Sequence, residues 1–175
     1  MHTSPQVDVR TANLLGALSV AVASRLDTSS EAAALTALHV YLGGRPIEAL
    51  RRVLGLSHPA TVRLVDRLVA RGLVERTPGT DRRSVALRLT DEGALRARDL
   101  LRARGEAIDA VLCGLGPADA ERLAPLLEKL LAGLVEDRAD ARRICRFCDA
   151  DACGHHAGRC PVTETARAKA PQDYA

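Results

Sequence analysis

The apolar positions along the chain change period more than once, and each change marks an element. Leu14, Leu15, Leu18, Val22 and Leu26 recur three or four residues apart within residues 9–26, which predicts an amphipathic helix. Ser30 and Glu31 open a second helix, EAAALTALHVYL, which Gly43 and Gly44 end. Pro46 suits the first helical position of PIEALRRVLG, where Ile47, Leu50 and Leu54 share a face and Gly55 closes the helix. Ser57 is a good N-cap for HPATVRLVDRLVARG, closed by Gly72. Two helices joined by a turn of about three residues form a helix-turn-helix. Beyond Gly72 the period falls to two: residues 73–76 predict a strand, residues 78–83 a turn, and Val85, Leu87 and Leu89 a returning strand. Thr90 then caps a long helix to about Leu112, broken by Gly114, Gly116 and Pro117. A further helix carries a stripe of Leu123, Leu126, Leu127, Leu130, Leu131 and Leu134. One small domain offers little to cover such a stripe, so a partner subunit is expected there, with packing on the first helix as the alternative.

Composition supports a helical core. The chain has 175 residues, 47% of them hydrophobic, yet its aromatics are only Tyr41, Phe147 and Tyr174. Leu, Val, Ala and Ile must fill the interior, which suits interlocking helices better than a β-sandwich. No apolar run approaches the roughly 18 residues that would span a bilayer. The N-terminus lacks the basic-then-apolar order of a signal peptide, so a cytoplasmic protein is expected.

The net charge of +3 hides a polarity. Residues 45–90 hold ten arginines against four acids, Glu48, Asp66, Glu75 and Asp81. Such a segment fits a polyanionic partner, nucleic acid first, or a solvated basic surface. A helical wheel of the second helix of the helix-turn-helix buries Val62, Val65, Leu68 and Val69. It turns Ala60, Arg63, Arg67 and Arg71 outward, with His58 and Thr61 near the exposed first turn. Arginine can fork onto guanine in the major groove, a small Ala or Thr lets the helix approach, and the helix N-terminus favours phosphate. The hairpin tip adds Asp81, Arg82 and Arg83. Asp81 can hold one arginine while the other reaches toward the minor groove, although an ordinary charged turn is the commoner fate of such a tripeptide.

The stretch LSHPATVRLVDRLVARGLVERTPGTDRRSVALRLTDEG resembles the winged helix-turn-helix core of the multiple antibiotic resistance regulator (MarR) family. The matching pieces are TVRLVDRLVARGLVER, the wing DRRSVALRLT and the TDEG that begins the next helix. The resemblance implies a mainly α fold: a winged helix-turn-helix with a two-stranded β wing, flanked by N- and C-terminal dimerisation helices. The expected divisions are residues 1–30, 31–90 and 91–140 for these parts, then a Cys-rich segment 141–162 and a disordered tail 163–175. The resemblance also implies a homodimer on a pseudo-palindromic double-stranded DNA operator, with repression relieved by a small-molecule or thiol-oxidising effector. By position, Ser57, Ala60, Thr61 and Arg63 match family residues facing the major groove or its phosphates, and Arg67 extends that basic face. Asp81 and Arg83 match the wing's acid–arginine pair, with Arg82 beside them. The wing tip PGTDRR is shorter and less charged than many in the family.

Cys145, Cys148, Cys153 and Cys160, with His155 and His156 inside the last interval, lie outside that core. Four thiolates this close can close around zinc, with the two histidines as alternate ligands. An iron–sulfur cluster needs the same four thiolates. The neighbouring arginines also suit a dithiol switch, and an inert tail is the remaining reading. Cys113 and His39 are expected to be buried or at an interface. No phosphate loop, nucleophile elbow or βαβ setting for a redox Cys-x2-Cys is present, so no catalysis is expected. The competing class is a metal- or redox-dependent protein-interaction module that no longer binds DNA.

Overall fold

A computed structural model describes residues 8–79 and 85–174. Among these residues are eight α-helices and a small antiparallel sheet. Helix α1 (Val9–Ala23) leads to α2 (Ser30–Ala37), whose N-cap Ser29 accepts a hydrogen bond from the Ala32 amide. A π-helical turn, Leu38–Leu42, continues α2 up to Gly43. Strand β1 (Arg45–Pro46) was not expected, because two residues carry no alternation to read. Its pairing with the returning wing strand makes Pro46 the N-cap of α3 (Ile47–Leu54) rather than its first helical residue.

Gly55 leaves α3 with φ +66°, a left-handed turn that a side chain would resist, and this swings the chain into α4 (His58–Ala70). Strand β2 (Val74–Pro78) and strand β3 (Val85–Leu89) pair from Val74 opposite Leu89 to Pro78 opposite Val85. The sheet order is β1-β3-β2, so the two-stranded wing gains a short third strand at its base. Thr90 caps α5 (Asp91–Leu112) by accepting the Gly93 amide, and its hydroxyl donates to the Gly72 carbonyl at 2.6 Å. The wing and the long helix are thereby tied at one corner.

The main core is aliphatic, as the composition requires. Leu35, Leu38 and Leu42 meet Leu50 and Val53 of α3, Leu64, Val65 and Leu68 of α4, and Leu73, Val74 and Leu87 of the sheet. By contrast, α1 and α6 (Pro117–Gly133) bury no residue. Leu126, Leu130 and Leu134 are 57%, 53% and 67% exposed, and Leu14, Leu15 and Leu18 on α1 are exposed too. The alternative in which α1 covers the α6 leucines is not realised within one chain.

The C-terminal segment differs from expectation. The polar composition of residues 163–175 predicts disorder. Instead, helix α7 (Arg138–Ile144), a 3-10 turn at Cys145–Phe147 and helix α8 (Pro161–Lys169) form an appendage. Val135, Ala141, Cys160, Val162 and Ala166 make its small core, and the Lys169 ammonium donates to the Val135 carbonyl at 2.6 Å. Two long-range hydrogen bonds dock it on α2 and the π-helical turn: the Thr36 hydroxyl to Arg146 O at 2.8 Å, and the Tyr41 hydroxyl to Arg142 O at 2.9 Å.

Candidate nucleic-acid interface and cysteine cluster

Helix α4 is shaped by its sequence from its first residue. Ser57 is the N-cap, accepting the Ala60 amide, and Pro59 sits in the first turn, where no amide donor is missed. Ser57, His58, Arg63 and Arg67 are exposed, and Ala60 is half-buried. Thr61 differs from the wheel: it is fully buried and its hydroxyl donates back to Ser57 O at 3.0 Å, so it shapes the first turn instead of facing outward. Leu64 is buried as well, while Val62 and Val69 are only half-buried. The buried stripe is therefore rotated toward Thr61 and Leu64, because α4 packs against both α3 and the sheet.

The basic residues of α4 are not equivalent. Glu31 on α2 pairs with Arg67 at 3.5 Å and also with Arg71, drawing both guanidiniums toward α2. Asp66 pairs with Arg76 of β2 at 2.6 Å, bracing the helix against the wing. Arg63 has no ion pair or hydrogen bond among the described residues and is free to meet a ligand. His58 Nδ1 lies 3.9 Å from Glu48, whose carboxyl is held below its usual range first by the hydrogen bond from Arg51. The wing residues Asp81, Arg82 and Arg83 lie outside the described residues. Sequence reasoning missed the roles of Glu31 and Asp66, which bridge elements far apart in the chain and leave no local spacing to detect.

The four C-terminal cysteines converge. Cys145, Cys148, Cys153 and Cys160 line one cavity of about 320 Å³, whose wall includes Tyr41 and His155. The thiols meet in two hydrogen-bonded pairs, Cys145 with Cys148 and Cys153 with Cys160. Within the first pair, the hydrogen bond raises Cys145 and lowers Cys148 to about 7. Burial pushes Cys153 up to about 12, with its bond to Cys160 adding to the rise. Burial raises Cys160 too, but donors from Thr163, Cys153 and Val162 outweigh it and bring the thiol below its usual range. Burial, followed by the nearby Cys145 and Cys148, raises the Tyr41 phenol. Among the described residues, no three His, Cys, Asp or Glu side chains are already arranged to hold one ion. Cys113, expected to be buried, is exposed at the end of α5, and His39 is exposed as well.

A helix-turn-helix whose second helix presents a capped, arginine-bearing face, followed at once by a β hairpin braced against it, defines a winged helix-turn-helix fold. Residues 27–84 match the model of the MarR family. RV1404 from Mycobacterium tuberculosis is 29% identical, with a TM-score of 0.61 over 74% of this chain and 95% of that one. The reduced form of MarR from E. coli is 23% identical, with a TM-score of 0.58 over 73% of this chain and 99% of that one. MepR, a transcription regulator of the Staphylococcus aureus multidrug efflux pump MepA, is 19% identical, with a TM-score of 0.54 over 61% and 79%. Over its helix-turn-helix the chain is thus similar to the MarR family of transcription regulators. Among the described residues no helix is long and apolar enough to cross a membrane.

Proposed function

We propose that the protein is a homodimeric, sequence-specific regulator that binds double-stranded DNA, acting as a repressor on a pseudo-palindromic operator. A small molecule or a thiol reagent would relieve repression, and the cysteine appendage is where activity is tuned. The observation that carries the DNA-binding reading is the exposed Arg63, without an ion pair among the described residues, on a helix capped by Ser57 and braced by the Asp66–Arg76 pair. The bare leucines of α6 support the dimer, since a second copy would cover them and set two α4 helices against successive major grooves.

Arg63→Ala tests this reading. If Arg63 forks onto a base edge, the loss is about 1–3 kcal/mol, which is roughly 5- to 150-fold in operator affinity by fluorescence anisotropy. The melting temperature should barely move, because the side chain is exposed and makes no hydrogen bond or ion pair among the described residues. An unchanged operator affinity at fixed salt removes α4 as the reading helix.

A further inference from the structure

We propose that Cys145, Cys148, Cys153 and Cys160 bind one thiolate-preferring divalent cation of the zinc class, and that the ion ties the loop before α8 and the start of α8 to the 3-10 turn at Cys145–Phe147.

The first support is convergence. The 3-10 turn at Cys145–Phe147 presents the first pair, and the N-terminus of α8 presents Cys160 with Cys153 beside it. Cys145 lies within electrostatic reach of all three other thiols, and the four share one cavity. The two pairs approach each other as preformed halves, and binding would join them.

The second support is how little apolar packing holds the loop between the thiols. Between residues 148 and 160 the backbone runs through successive turns, and Cys160 is the only side chain that is fully buried. Such a loop has too little apolar surface to order itself. Small folds of this kind are usually held by cross-links, and a structural metal supplies folding energy directly.

The third support is the chemistry of the donor set. Four sulfurs select zinc and similar soft ions over magnesium or calcium. The Val162 and Thr163 amides donate to the Cys160 sulfur, the kind of outer hydrogen bond that steadies a metal thiolate. The histidines are turned to other partners: His155 Nδ1 lies 3.1 Å from the Thr163 hydroxyl, and His156 faces Asp151 at 3.9 Å. The cysteines are left as the ligands. Four thiolates around a divalent ion carry two surplus negative charges, and Arg138, Arg142 and Arg167 line the same cavity.

The test is elemental analysis and thiol counting on full-length protein purified without an affinity tag and without oxygen. We expect about one zinc per chain, four thiols protected from alkylation and only Cys113 reacting. Cobalt exchanged into the site should give the absorption of a tetrahedral thiolate complex. Cys148→Ser should lose the metal while Cys113→Ser keeps it. A misfolded Cys148→Ser chain would lose metal too, so wild-type protein is also stripped with a chelator. Amide exchange should then rise across α7 and α8 but not α4, and added zinc should reverse it. Metal-free protein with two disulfides or five reactive thiols overturns the proposal, as does iron with acid-labile sulfide. None of these readouts depends on DNA.

Discussion

Gly93 sits at the third position of α5, where alanine is ordinarily the better helix former by about 1 kcal/mol. The structure predicts the opposite result for Gly93→Ala. A Cβ built there lies 1.9 Å from the Leu73 carbonyl oxygen and 2.8 Å from its carbon, both backbone atoms. Contacts under 3.0 Å essentially never occur for a real Cβ, so α5 and the backbone that enters β2 must separate by more than 1 Å. That carbonyl also accepts the Thr90 amide at 3.2 Å, so the strand cannot yield without weakening the corner between wing and helix. Overpacking of this kind costs about 1–3 kcal/mol, and a compromised hydrogen bond adds about 1. Set against the helix-propensity gain, the net loss is about 1–3 kcal/mol. For a chain of this size that lowers the melting temperature by about 2–12 °C. Gly105, in the same helix, has nothing within 4 Å of its built Cβ, so Gly105→Ala should gain about 0.4–1 kcal/mol. Differential scanning calorimetry of the two variants decides the matter. A Gly93→Ala protein that melts at or above the wild type refutes the close-approach argument.

Two further outcomes follow from the same geometry. Glu31→Gln releases Arg67 and Arg71, so affinity for unrelated duplex DNA should rise and its salt dependence steepen, while stability changes by less than about 1 kcal/mol. Binding titrations at several salt concentrations check this, and an unchanged slope would show that Glu31 does not restrain those arginines. Leu126→Glu with Leu130→Glu places charge on the exposed α6 stripe and should give monomers in sedimentation with much weaker operator binding. A variant that still sediments as the wild type would mean that α6 is not the subunit contact.

Much of the winged core was legible because its signals are local. Ser57 and Thr90 are cap residues, Gly55 sits where a left-handed turn is needed, and the fall to period two announces the strands. The reading was weakest where a partner from elsewhere in the chain decides the outcome. An ideal wheel could not show that Thr61 turns its hydroxyl onto Ser57 O, nor that Leu64 is buried between α3 and the sheet. Strand β1 exists only because β3 pairs with it. Helix α8 was hidden by polar composition, although Pro161 at its start is a helix signal. Its order comes from Val162 and Ala166 packing toward Val135. The four cysteines were legible as a group, but not their convergence in two pairs beneath Tyr41.

The hydrogen bonds from Thr36 and Tyr41 to the appendage span 110 and 101 residues. Their consequence lies in the order of synthesis. Chains elongate at about 5–20 residues per second, so α2 leaves the ribosome roughly 5–20 s before the carbonyls of Arg142 and Arg146 exist. In that interval the helix-turn-helix can fold, but the side of α2 that carries Thr36 stays open to water. A nascent chain interrupted before residue 142 would hold α2 without that cover, and the missing residues would be felt close to the other end of the chain.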